Sequence, residues 1–362
     1  MNNKSLFAIL TMAMLSGCNA NEDSSGGSGG HRFDQGWGVT PGTSYSSIQS
    51  RINAIPSVVR KTVDNGYYVT RSRHMGTACG PEHNIGSDSA AYNSAHFELG
   101  IDNKRIPLSD IQRIAGIVEV SLEMIAEELN VLPRDLISHA HTDSNGEQRL
   151  GVCILSGKSS NGAGHGNEMV VSQSNTHGGV YEFTLLKHEL AHLIDSQFNN
   201  NEFAYNLTPN WWVEGFAENV TGTKPLSKSA WQSQHKKYVG DQNIVTLGGA
   251  PTGGYEAYSL YSTMVAYLRN KGLTEEAFFE FVQSDRWHAD GTTNFDPEGS
   301  CKGQVPSNYG LTTGSCGAFS DVMAIFSNRF NYVSGRSGGE LSGFDDFETN
   351  YYQLISDWLS SR

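Results

Sequence analysis

Residues 188–192 read His188-Glu189-Leu190-Ala191-His192, and the rest of the chain is best read outward from them. On a helix, residues four apart project from one face, so the two imidazoles can grip a single metal ion. Glu189 follows the first of them, where it can reach a water on that metal without being a ligand itself. The surroundings are helical in pattern: Phe183, Leu186, Leu190, Leu193 and Ile194 recur as one apolar stripe.

A catalytic zinc site takes three protein ligands and keeps one position for water. The third ligand is sought downstream, where residues 211–219 read Trp211-Trp212-Val213-Glu214-Gly215-Phe216-Ala217-Glu218-Asn219. Glu214 and Glu218 are four apart and share a helix face. Tryptophans and Phe216 interleaved with the acids mark a partly buried segment, not a solvated acidic face. A buried carboxylate needs a partner, and a metal is a strong one. Between His192 and Glu214 the chain has room to leave one helix and enter another.

These two blocks resemble the gluzincin metallopeptidases, whose hallmark is His-Glu-x-x-His followed by a second helix carrying Glu-Gly-x-Ala-Glu, often after a Trp. The nearest likeness is to the peptidase core of bacterial collagenases, which also carry an Asp three residues past the second His, here Asp195. The resemblance extends from about residue 94 to the C-terminus. It implies an α+β, zincin-like fold, with a small mixed sheet and an active-site helix followed by a mainly helical C-terminal subdomain. It implies His188, His192 and Glu214 as ligands of one catalytic Zn2+, and Glu189 as the catalytic acid/base. Glu218 and Asp195 would orient the ligands, as such sites require. It also asks for a donor to the oxyanion, and Tyr258 has the family's spacing to Tyr267. Tyr255, Tyr258 and Tyr261 equally suit the aromatic face of a packed helix, and Tyr261 stands where the family has Gly. The strand read over residues 168–173 would lie at the sheet edge and pair with an extended substrate, unless it is an ordinary internal strand.

The N-terminus speaks to location. Lys4 precedes an apolar run from Leu6 to Leu15, too short to span a bilayer and suited to a cleaved export signal over residues 1–17. Leu15-Ser16-Gly17-Cys18 is similar to the bacterial lipobox, which implies lipidation of Cys18 and an anchored envelope protein. Asn19 after the cysteine favours the outer membrane. Residues 18–44 then form the anchor and a flexible tether, rich in Gly and Ser over residues 21–30. Residues 45–90 read as an N-terminal extension and 91–362 as the peptidase-like unit, divided into 91–200 and 201–362. Cys79, Cys153, Cys301 and Cys316 suggest two disulfides in an oxidising compartment. Three connectivities are possible, and Cys301–Cys316 with Cys79–Cys153 is favoured.

Other segments carry weaker signals. Ile48, Ile52 and Ile55 suggest a short helix before Pro56, and residues 67–70 a strand. His96 to Ile101 reads as a strand. Ser109 with Gln112 forms a capping box for a helix whose buried stripe is Ile111, Ile114, Val118, Leu122, Ile125 and Leu129. Further helices are expected over 258–271, 275–283, 320–330 and 344–359, with a stapled Gly-rich loop over 286–316. His139 and His141 read as an exposed pair, His165 as a loop residue, and Asp345, Asp346 and Glu348 as solvent-facing acids lacking calcium-loop spacing.

The net charge of −13 comes without a run of Lys and Arg, which excludes nucleic acid as a partner. There is no phosphate-binding Gly-Lys-Ser/Thr loop and no Gly-x-Ser-x-Gly elbow, which removes the usual nucleotide- and serine-hydrolase readings. The expectation is a zinc-dependent peptidase acting on peptide or protein and held to a membrane by its lipid. Two alternatives stay open: an envelope adhesin that keeps zinc for structure, and a zinc amidase acting on a non-protein amide.

Overall fold

The computed structural model describes residues 45–60, 90–138, 140–142, 147–156, 163–165, 168–172, 179–198, 209–273, 278, 330–331, 341 and 343–362. The expected signal segment, Cys18, the tether, the strand over 67–70, His139, Cys79, Cys301, Cys316 and the loop over 286–316 lie outside them. So do the helices over 275–283 and 320–330, except Phe278 and Phe330.

In chain order the elements are α1 (Tyr45–Ala54), β1 (Val59–Arg60), β2 (Ala90–Asn93), β3 (Phe97–Ile101), α2 (Leu108–Leu129), α3 (Pro133–Leu136) and β4 (His141–Thr142). There follow β5 (Gln148–Leu155), β6 (Ala163–His165), β7 (Glu168–Ser172), α4 (Gly179–Phe198), α5 (Asn210–Thr221), α6 (Lys228–Tyr238) and α7 (Ile244–Leu247). A 3-10 turn (Gly254–Ala257) leads into α8 (Tyr258–Tyr267), which continues as a π-helical turn (Leu268–Gly272); α9 is Phe344–Ser360. The fold is α+β, as expected: the strands all lie before residue 173, with α1, α2 and α3 among them, and the described elements after β7 are helical. Among the described residues no helix is long and apolar enough to cross a membrane.

The sheet is mixed and seven-stranded, in the order β1-β2-β3-β5-β7-β6, with β4 paired to β5. β3, β5 and β7 run parallel, while β2 and β6 are antiparallel to their neighbours. Parallel neighbours need a crossover, and α2 supplies the one between β3 and β5. Strand alternation then sorts side chains to two faces. Phe97, Leu99, Ile101, Leu150, Val152, Ile154, Met169 and Val171 join the main core, and Cys153, Leu155, Val170 and Ala91 form a small cluster on the other face.

The stripe expected on α2 is buried throughout, from Ile111 to Leu129. α4 packs between α2 and α5 and also touches β6 and β7. Its residues from Glu182 to Asp195 are all buried. A helix covered on every side is fixed in position by its neighbours rather than by one apolar face.

Two sequence expectations need correction, and one alternative left open is decided. Of the two alternatives for the strand at 168–172 the internal one holds: β6 pairs antiparallel to it and ends the sheet among the described residues. His165 consequently belongs to a strand, not a loop. The Ser109–Gln112 capping box does not form: α2 begins at Leu108 with Pro107 at its N-cap and no side-chain cap. Gln112 is engaged elsewhere, accepting from Val58 N at 2.7 Å and donating to Pro56 O at 3.2 Å. Residues 45–60 also enter the main body: Ile48 and Ile52 belong to its core, and β1 pairs with β2.

A buried carboxylate ties the β2–β3 turn to α2. Glu119 accepts from Ser94 Oγ at 2.6 Å and His96 N at 2.8 Å, and its second oxygen meets His96 Nδ1 at 2.7 Å. The hydrogen bond to Glu119 raises His96. Burial pushes Glu119 up, but His96 and the other donors outweigh it and hold it below its usual value. The raised imidazole stabilises fully below its ordinary value of 6.5, and that stability is lost as pH rises through its folded value. The depressed carboxylate stabilises fully above its ordinary value of 4.5, and that stability is lost as pH falls through its folded value. The pair is therefore worth most between pH 4.5 and 6.5. Glu119→Ala should cost about 3 kcal/mol in that window, since it orphans three donors. Chemical denaturation across pH should show the difference from wild type shrinking on both sides of the window.

Candidate metal centre

The site is assembled from three helices. α4 places His188 and His192 one turn apart, both buried, with their rings at 89° and their Nε2 atoms 3.0 Å apart. α5 packs across α4 and brings in Glu214, whose Oε2 lies 3.4 Å from the Nε2 of each histidine. The ligand atoms of His188, His192 and Glu214 all lie within 4.8 Å of one another, the arrangement needed to hold one metal ion. α5 is anchored by Trp211, Trp212 and Phe216, all fully buried; Trp211 stacks on Phe344 of α9, and Trp212 on Phe216. Each such side chain contributes about 1.5–3 kcal/mol of burial.

The remaining acids surround this trio. Both carboxylate oxygens of Glu189 are buried and have no hydrogen-bond partner among the described residues. Glu218, one turn beyond Glu214, directs Oε1 at His188 Nδ1 at 3.4 Å, and its Oε2 accepts from Thr223 Oγ1 at 2.6 Å. Asp195 is buried, and its charge acts on His192. It makes no hydrogen bond to His192 Nδ1, which has no partner among the described residues.

The electrostatics follow from this crowding. Burial lowers His188 below its ordinary value, although Glu214 pulls the other way. Burial would lower His192 too, but Glu214, with Glu189 and Asp195, overrides it and pushes that imidazole up to about 9. Glu214 resists its own burial because the two imidazoles hold it well below the carboxylate range. The field is thus negative enough to keep a proton on His192 past neutrality, and the same field favours a divalent cation. Two imidazole nitrogens, one carboxylate oxygen and a buried, unsatisfied Glu189 fit zinc chemically.

Tyr258 opens α8 with its ring parallel to the His188 imidazole, centroids 6.2 Å apart. The three tyrosines do not make one packed face: Tyr258 and Tyr261 are buried, whereas Tyr255 is 49% exposed. The Tyr261 hydroxyl accepts from Ala250 N at 2.7 Å, and burial together with the Glu214 charge pushes its phenol up to about 12.

Sequence reasoning missed Thr223 and Tyr261 as parts of this site. A signal for Thr223 existed in Gly222, the left-handed C-cap of α5, which reverses the chain and brings Thr223 back onto Glu218. Tyr261 was read only as part of an aromatic face, and its contacts with Ala250 and with α5 come from other segments. Elsewhere, His141 lies on β4, and Asp345, Asp346 and Glu348 sit in the first turns of α9 away from these ligands. Cys153 is buried in β5 and disulfide-bonded. Its partner is outside the described residues, so neither expected pairing is fixed.

Comparison of the chain with protein-family models and with curated proteins finds no match.

Zinc affinity should separate the two acids of α5. Glu214→Ala removes one of the three groups that could hold a metal ion and should abolish tight zinc binding, whereas Glu218→Ala should weaken it by about 10–100-fold. Chelator competition on the purified variants measures both, and the reverse order would mean that their roles are exchanged.

Proposed function

We propose that this chain is a zinc-dependent peptidase of the gluzincin type, anchored by lipid to a bacterial envelope. One observation carries the reading. A carboxylate that is not a ligand, Glu189, is buried beside the ligand trio with both oxygens unsatisfied among the described residues. A structural zinc site closes its shell with four protein ligands and needs no such base.

His188, His192 and Glu214 would hold the ion. A zinc ion held there would supply Lewis acidity to a carbonyl and to water. Glu189 accepts the proton of the attacking water and passes it to the leaving amine, a role suited to a buried carboxylate. Glu218 steadies His188 through Nδ1, itself steadied by Thr223. Tyr258, whose ring lies parallel to His188, would be the donor to an oxyanion. Substrate alignment is assigned to β6, which ends the sheet among the described residues and packs beside α4. An open strand edge offers main-chain hydrogen bonds to an extended peptide. The anchoring rests on the lipobox-like stretch ending at Cys18.

Glu189→Gln should retain zinc and lose turnover by at least about a hundredfold. The check is metal analysis together with hydrolysis of unfolded protein substrates, with and without chelator. A zinc-loaded Glu189→Gln protein with full activity would refute the mechanism. A zinc-loaded wild type inactive on every peptide would point to another amide or to a binding role. Cys18→Ser should move the protein from the membrane to the soluble fraction on fractionation.

A further inference from the structure

The helix that carries Glu214 and the helix that begins at Tyr258 meet at a single glycine. A Cβ on Gly215 would stand 2.6 Å from the Tyr261 carbonyl oxygen, 2.8 Å from its carbonyl carbon and 2.8 Å from a Val265 methyl. Side chains essentially never approach that closely. Two of the three atoms are helix backbone and cannot swing aside as a flexible side chain can. Gly215 lies inside α5, where glycine costs about 1 kcal/mol relative to alanine. What offsets this cost is proximity: α5 and α8 touch backbone to backbone.

Both sides of that contact lead to the metal centre. Glu214 immediately precedes Gly215 and reaches both histidines at 3.4 Å. Tyr261 lies one turn after Tyr258, whose ring parallels His188. Beyond the contact the two segments are cross-tied: Ser262 Oγ donates to Thr223 O at 3.2 Å, and Leu226 N donates to Thr263 Oγ1 at 3.0 Å. With those ties in place, any side chain at residue 215 must open the helices as a tilt. A tilt displaces Glu214 from the histidine pair or Tyr258 from His188.

We infer that Gly215 is a positioning residue of the metal centre: its missing side chain sets the α5–α8 spacing that aims Glu214 and Tyr258 together at the histidines. The inference rests on the metal-centre reading above and adds the residue that fixes its geometry. A control is built into the same fold. Gly116 of α2 is also close-packed, though less tightly, a Cβ there lying 2.9 Å from the Ile52 carbonyl oxygen and 2.9 Å from an Ile52 methyl, but the α1–α2 contact carries none of the three candidate ligands.

The experiment compares the full chain with Gly215→Ala and Gly116→Ala, reading melting temperature and zinc affinity by chelator competition. Both variants should melt earlier. Only Gly215→Ala should lose zinc affinity, by about tenfold or more. Val265→Ile adds one methylene to the same contact and should shift affinity the same way by a smaller factor, so it decides the matter if Gly215→Ala does not fold. Wild-type zinc affinity in a destabilised Gly215→Ala, or in Val265→Ile where that is the variant that folds, would overturn the inference alone. A wild type that takes up no zinc would overturn the metal centre itself and this inference with it.

Discussion

Across the contact of α4 and α5, two imidazoles share a nearly dry space with the carboxylates of Glu189, Glu214 and Glu218, all five side chains buried. Placing that much ionisable matter out of water costs several kcal/mol per charge unless it is compensated. Part of the compensation is internal: Glu214 lies against both imidazoles, and Glu218 is held by Thr223. Part is not, since Glu189 has no partner among the described residues. A divalent cation, which His188, His192 and Glu214 could hold, is chemistry that would offset part of that cost.

The rest of the architecture holds these groups in place. α4 has no free face, being packed by α2, α5 and the strands β6 and β7. α5 is locked by aromatic side chains that reach α9 at the far end of the chain. α8 presses on α5 closely enough that only glycine fits between them. Each ligand thus arrives from an element braced on more than one side, as preorganised sites require. Burial strengthens every Coulombic term inside, which is why Glu214 and His192 pull one another so far from their ordinary values.

The sheet contributes in a different way. Its central parallel strands are hydrophobic where they face α2 and α4, so they serve as a floor for the ligand helix. Its edge beside that helix is β6, three residues long and antiparallel to β7. In the proposed peptidase this strand, which packs beside the helix of His188 and His192, would align the substrate.

Much of the site was legible from local spacing. The i, i+4 pairs His188/His192 and Glu214/Glu218 depend only on helical periodicity, and Gly215 and the tryptophans were visible beside them. The α2 stripe was legible for the same reason. What local spacing does not encode is which partner a polar residue selects. Gln112 was drawn away from the helix cap by Val58 and Pro56, and residues 163–165 took the sheet edge from 168–172. Thr223 and Tyr261 joined the site through chain reversal and helix packing. The sequence alone therefore determined which side chains could hold a metal and on what elements they sit. Only the tertiary structure decided that two separate helices aim them at one point, because that depends on the interhelical distance permitted at Gly215.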